Sequence, residues 1–159
     1  DALSSATILS MGSEEIAKLN PLSLFWGFRA GCIGETSIFL ILVAFFFLFI
    51  TKIIDWRAPV AMIATVVIAT LIAGGDVIIA LLSGGLLFGA VFMVTDYATT
   101  PVTKPGRLIF GFGCGLITFL IRQFGGYPEG VMFSILIMNS IAPFLNNLTV
   151  RMYGYGRKK

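Results

Sequence analysis

Charged residues punctuate this chain, and apolar runs fill the intervals between them. Between Glu35 and Lys52 stands the uncharged run TSIFLILVAFFFLFIT. Counted from Gly34 to Ile54, it gives a helix about 30 Å long, enough to cross a bilayer. The same reading predicts four more spans: Pro59 to Gly74 or Gly75, Val77 to Thr95, Arg107 to Arg122, and Val131 to Val150. The fourth is short. It crosses only if Arg107 and Arg122 lay their stems along the helix and snorkel outward, and otherwise it is re-entrant. The predicted fold class is an all-α integral membrane protein of about five transmembrane helices, preceded by an interfacial segment.

That preceding segment, residues 1–33, has a different pattern. Ser13 followed by Glu14 and Glu15 reads as a helix N-cap with acid in the first turn, and Asn20-Pro21 ends that helix early. LSLFWGFRAG then mixes Leu22, Phe25, Trp26 and Phe28 with Arg29, which suits headgroup depth. The division is therefore 1–33 interfacial, 34–150 membrane-spanning, and 151–159 a basic tail.

Two spans carry breakers. Ser83, Gly84 and Gly85 interrupt the third, and Pro143 sits inside the fifth. Either could mark a discontinuous helix whose freed backbone groups bind an ion. The commoner reading is close packing: Gly85 and Gly89, and again Gly111 and Gly115, would line one helix face.

Composition agrees with the membrane class. Hydrophobic residues make up 57% of 159 positions and charges 12%, about half the charge of a water-soluble domain. Mean hydropathy is +0.96. The first residues lack the pattern of a secretory signal, and a chain opening on Asp1 reads as a piece of something longer. With no His, imidazole-based metal, haem and acid–base chemistry is excluded within this chain. Cys32 and Cys114 cannot hold an iron–sulfur cluster alone, and both read as small packing residues. Neither a P-loop nor a dinucleotide fingerprint is present.

The net charge of +3 does not imply nucleic acid, because the cations sit at the ends of apolar runs. They are unevenly divided. Lys52, Arg57, Lys104, Arg107, Arg151, Arg157, Lys158 and Lys159 fall on one side of a five-span topology; Lys18, Arg29 and Arg122 fall on the other. The positive-inside bias predicts a multi-pass protein of the prokaryotic plasma (inner) membrane, with the RMYGYGRKK tail cytoplasmic and residues 1–33 outside.

The chain opens DALSSAT. Taken as residue types, Asp1, Ser4 and Thr7 make turns or caps. As a pattern, Asp1-x-x-Ser4-Ser5-Ala6-Thr7 resembles the D-x-x-S/T-G-A-T flavinylation motif, with Ser5 where the motif prefers Gly. Further along, GCIGETS (31–37), KIIDWR (52–57), GGLLFGAVFMVTDYATTPVT (84–103), GRLIFG (106–111) and FGGYPEGVMFSILIMNSIAPF (124–144) resemble the second half of the RnfD/NqrB family of membrane subunits. GGYPEG and TTPVT look closer to the RnfD branch.

The resemblance implies FMN joined by a phosphoester to the hydroxyl of Thr7, with Asp1, Ser4, Ser5 and Ala6 as the rest of the motif. A flavin transferase acting outside the cytoplasm would make the bond, on the side where the Lys and Arg distribution independently puts Thr7. It implies a subunit of an oxidoreductase that drives Na+ or H+ across the membrane, coupling electron transfer from ferredoxin to NAD+. Other subunits would supply the iron–sulfur and nicotinamide chemistry. The alternatives are an NqrB-type subunit of a Na+-translocating NADH:quinone reductase, or half of a non-redox channel or transporter. A second, noncovalent flavin is a further option.

Glu35, at the head of the first span, is a candidate ion or flavin contact or a helix-end charge. Asp96, closing the third, is a candidate flavin or ion contact, with a helix cap as the simpler reading. Asp76 reads as a solvated turn residue, and Tyr127, Pro128 and Glu129 as an outer loop.

Overall fold

The computed structural model describes Trp26 and residues 37–82, 85–125 and 130–152. The secondary structure of these residues is helical. The first helix, α1 (Ile38–Ile50), starts at Ser37, whose hydroxyl accepts the Leu40 N–H at 3.4 Å. It ends at the edge of the uncharged run, four residues short of the predicted Ile54. The Thr51 hydroxyl donates back to the Phe47 carbonyl at 2.9 Å. Lys52 turns into the left-handed region at φ 57°. Its N–H then reaches Phe49 O at 3.0 Å, and the Ile53 N–H reaches Leu48 O at 3.1 Å. This paired 5→2 and 6→1 closure is a Schellman end. The helix is therefore 13 residues, or about 20 Å, rather than the full predicted run.

Helix α2 (Arg57–Ile72) stops the same way. Gly74, at φ 73°, donates to Leu71 O at 3.1 Å, and Gly75 donates to Thr70 O at 3.0 Å. The two ends differ in one respect: α2 puts glycine at the left-handed position, while α1 puts lysine there. A Cβ in that conformation costs about 1–2 kcal/mol.

The predicted third span is built from three pieces: α3 (Val77–Leu82), α4 (Leu86–Phe88) and a π-helical stretch Gly89–Met93. The Val94 N–H spans five residues to Gly89 O, at 2.8 Å. Ser83 and Gly84, the predicted break, lie outside the described residues.

Helix α5 (Lys104–Phe124) is longer than the predicted fourth span. Thr103 caps it by accepting the Gly106 N–H at 3.2 Å. At 21 residues it is about 31 Å long, so its length does not call for re-entrance. Its two arginines do not simply snorkel outward: Arg107 donates to Asp55 and Pro101, and Arg122 to the Ala80 carbonyl. Helix α6 (Val131–Met152) runs continuously through Pro143. Among the described residues, Lys104–Phe124 and Val131–Val150 are long and apolar enough to cross a membrane.

Small residues hold the helices together. A Cβ on Gly111 would collide with the Ala58 carbonyl, and one on Gly115 would come within 2.7 Å of the Met62 carbonyl. The α5 backbone therefore sits directly against α2, as the four-residue glycine spacing predicts. Gly89 similarly receives the Val131 side chain. Between α5 and α6, Thr118 and Ser134 pair their hydroxyls at 2.7 Å, each also within reach of a carbonyl of its own segment. Large apolar side chains point away from these contacts: Phe47, Ile72, Phe112, Leu136 and Phe144 are all more than half exposed. Such an apolar exterior, around helices that touch through Gly, hydroxyl and buried apolar side chains such as Met62, Leu86 and Phe110, suits lipid rather than water as the outer solvent.

The packing gathers the α1–α2 turn, the loop before α5 and the last turns of α6 at one end. Lys52, Arg57, Lys104 and Arg107 belong to that end. Arg122, Ala80 and the turn after α2 form the other.

Candidate functional site

Asp1, Ser4, Ser5, Ala6, Thr7 and Glu35 lie outside the described residues, as do Cys32, residues 127–129 and the tail from 153. Asp96 is described, and it is a turn residue. Its carboxylate accepts the Ala98 N–H at 3.3 Å and the Thr99 hydroxyl at 3.2 Å, stabilising the exposed turn after the π-helical stretch. The carboxylate thus closes a turn and caps no helix, unlike the helix cap read from the sequence. Asp76 is exposed, and its carbonyl starts α3 by accepting the Ala80 N–H at 3.0 Å. Cys114 is fully buried, the packing role expected of it.

The strongest polar constellation among the described residues lies elsewhere, around Asp55. KIIDWR leaves the Schellman turn of α1 and enters α2 within six residues. That places Asp55 at the start of α2, where one carboxylate oxygen accepts the Arg57 N–H at 3.1 Å. Its other oxygen receives two guanidinium groups, from Arg57 at 2.8 Å and Arg107 at 2.7 Å. Arg107 comes from the first turn of α5 and also donates through Nε to the Pro101 carbonyl at 3.0 Å. Arg57 lies over the Trp56 ring, 5.5 Å from its centre.

Burial works against ionisation of this carboxyl. The Arg57 N–H and the guanidinium groups of Arg107 and Arg57 outweigh it, and hold Asp55 below the usual carboxylate range. The side chain is only 16% exposed, so the pairing is better shielded than a surface bridge.

A second set of bonds ties the same loop to α6. The Val102 N–H donates to the Asn146 amide oxygen at 2.9 Å. Thr103 and Thr149 join hydroxyls at 2.5 Å. Thr149 also lies 2.7 Å from the Leu145 carbonyl, and Thr103 accepts from the Gly106 N–H, so a Thr103 hydroxyl donating to Thr149 satisfies every group. In that arrangement neither hydroxyl is left unsatisfied.

Two cavities open beside this hub. One, about 620 Å³, is lined by Phe49, Ile50, Lys52, Trp56, Arg57 and Arg107 among others. The other, about 260 Å³, lies between Asp55, Ala58, Thr95, Thr100 and Arg107. At the opposite end a third cavity of about 260 Å³ is lined by Thr70, Asp76, Phe119, Arg122 and Gln123. Among the described residues, no three His, Cys, Asp or Glu side chains gather as metal ligands.

The sequence reading counted Lys52, Arg57 and Arg107 among the flanking cations and took KIIDWR and TTPVT as strings carrying a resemblance, with no role for Asp55. The signal available was their chemistry: one acid flanked by cations, followed fifty residues later by a capped, arginine-bearing helix start. Pairing them requires knowing that α2 and α5 pack.

Comparison with known proteins locates the whole chain. Residues 1–154 match the model of the NQR2, RnfD, RnfE family. A component of the Na(+)-translocating ferredoxin:NAD(+) oxidoreductase complex of Acetobacterium woodii is 42% identical, over all of this chain and 52% of the relative. A component of the proton-translocating ferredoxin:NAD(+) oxidoreductase complex of Clostridium ljungdahlii is 45% identical, over 80% of this chain and 40% of the relative. A component of the Na(+)-translocating NADH-quinone reductase of Chlamydia felis is 38% identical, over 87% of this chain and 31% of the relative. The chain thus spans about half, or less, of the length of these curated relatives.

Proposed function

The chain belongs to the NQR2, RnfD, RnfE family, and from that premise we propose that it is the second half of an Rnf-type membrane subunit carrying covalent FMN at Thr7. The observation that carries this reading is the motif Asp1-x-x-Ser4-Ser5-Ala6-Thr7, in a chain that the family model matches from its first residue to 154. The subunit would work within an ion-translocating oxidoreductase passing electrons from ferredoxin to NAD+, the activity named for its relatives. Those names differ in the ion, Na+ in one and H+ in the other, so the ion is left as either.

The residue chemistry fits the group. The Thr7 hydroxyl can take a phosphoester, and the small neighbours Ser4, Ser5 and Ala6 leave room for a transferase to close over the segment. Bound there, FMN would supply the electron chemistry, while this chain supplies its address and surroundings. The topology supports the assignment. Lys52, Arg57, Lys104 and Arg107 share one end of the molecule, and the positive-inside rule makes that end cytoplasmic. Residues 1–33 then start outside, where flavin transfer would occur. The partners would be the remaining subunits of the complex and the flavin transferase.

The test is flavin fluorescence of the fully denatured, full-length subunit on a gel, after co-expression with its transferase. A fluorescent wild type and a dark Thr7→Val variant are expected. A dark wild type beside a bright flavinylated control would overturn the assignment and favour the channel reading.

A further inference from the structure

We propose that the cleft beside Lys52, Trp56 and Arg57 is a binding site for the headgroup of an anionic phospholipid. This inference does not depend on the flavin at Thr7.

The charge balance comes first. Three cations, Lys52, Arg57 and Arg107, line the 620 Å³ cleft against a single carboxylate, Asp55. Asp55 engages only Nη1 of each guanidinium, and Arg107 Nε goes to Pro101. Among the described residues, Nη2 of both arginines takes no protein acceptor. The cleft therefore keeps a net positive charge and spare donors, as a phosphate diester requires.

The walls come second. Phe49, Ile50 and Ile53 flank the cations, and Ile50 and Ile53 are 74% and 66% exposed. Trp56, itself 46% exposed, stands at the boundary between the apolar and charged parts. Cations at the end of an apolar helix, with an indole between, match a phosphate at headgroup depth with acyl chains descending along α1. A soluble anion would leave that apolar wall unused.

The backbone comes third. Lys52 occupies the left-handed position of the α1 Schellman turn, where the corresponding turn of α2 has Gly74. Glycine would meet the local demand without strain. Lysine adds nothing to that turn that glycine lacks except its side chain and charge, and that side chain lines the cleft.

This backbone feature also provides a clean variant. Lys52→Gly removes the charge and relaxes the turn, so the protein is expected to remain folded. The full-length subunit, purified in mild detergent, would be titrated with dioleoylphosphatidylglycerol or dioleoylphosphatidylcholine, with bound lipids counted by native mass spectrometry. Wild type is expected to hold one phosphatidylglycerol at least ten-fold more tightly than phosphatidylcholine. Lys52→Gly/Arg57→Gln should lose that preference, and Lys52→Arg should keep it. Arg107 stays in place in each variant, so Asp55 remains paired. Equal retention of the two lipids by wild type would overturn the proposal, as would a double variant that binds like wild type. Displacement of the lipid by millimolar inorganic phosphate would also overturn it, by showing a soluble-anion site.

Discussion

Arg107 and Asp55, separated by 52 residues in the chain, meet at 2.7 Å between Nη1 and Oδ2. The contact joins the turn between the first two helices to the first turn of α5. Through Pro101, Thr103 and Asn146 it extends to the last turns of α6. One end of the helix assembly is thus fastened by polar bonds, while its middle is fastened by the close approach of small residues.

Replacing Asp55 with Ala should loosen that end. Two guanidinium groups would lose their common acceptor, and the Arg57 N–H at the start of α2 would lose its side-chain acceptor. The expected loss is about 1–3 kcal/mol of stability, read as a lower unfolding midpoint in detergent. The pH dependence has a definite sign. The folded-state pKa of Asp55 is depressed, so its contribution is fully present above the ordinary carboxylate value of about 3.9 and is lost as pH falls through the lower folded value. The difference between wild type and Asp55→Ala should therefore be constant from about pH 7 down to about pH 5 and shrink only in stronger acid. A difference that vanished near neutrality would contradict the pairing.

Gly115→Ala tests the α2–α5 contact. The added methyl would lie 2.7 Å from the Met62 carbonyl and 2.8 Å from Thr65 Cβ, and two packed backbones would have to separate. A cost of about 1–3 kcal/mol is expected, although alanine is the better helix former. Thermal unfolding of the two proteins decides it, and a stabilised variant would show that the helices are not in close contact.

Thr149→Val keeps the side-chain shape and removes one link from the hydroxyl chain. The Thr103 hydroxyl would then lack its buried acceptor, at a cost of about 1–3 kcal/mol, whereas Thr149→Ser should lose less than about 1 kcal/mol. The Gly106 amide donates to Thr103, so its hydrogen exchange should accelerate in the valine variant and stay near the wild-type rate in the serine variant. Equal exchange in all three proteins would show that the chain does not hold the loop.

Hydropathy located α2, α5 and α6 closely, and the spacing of Gly111 and Gly115 correctly foretold a close helix contact. It misjudged the end of α1. The count to Ile54 ran past Lys52, the charge that closes TSIFLILVAFFFLFIT. The end is set by the Thr51 side-chain hydroxyl folding back on the Phe47 carbonyl and by the left-handed backbone turn at Lys52, neither of which hydropathy measures. It also set the fourth span between its arginines, although the helix passes both and turns their guanidinium groups to acceptors on other segments. Pro143 looked like a breaker, but α6 continues through it. The Asp55 hub was invisible for a different reason. Its members are far apart in sequence, and their meeting follows from which helices pack. The reading of Thr7 rests on motif and resemblance, and the described residues leave it to the fluorescence test.

The π-helical stretch corrects a phase error. Leu86, Ala90 and Val94 recur every fourth residue, and on a regular α-helix such a series drifts about 40° around the axis at each step. Yet all three are 0% exposed. The wider turn at Gly89–Met93 takes up the surplus rotation, so the series stays aimed at one line of contact. Ordinary α winding of the same residues would instead swing whatever follows by roughly one residue's rotation, about 100°. Asp96 and its turn would then face a different quarter of the molecule. The stretch works as a vernier, setting the azimuth at which this segment delivers the chain to the loop before α5.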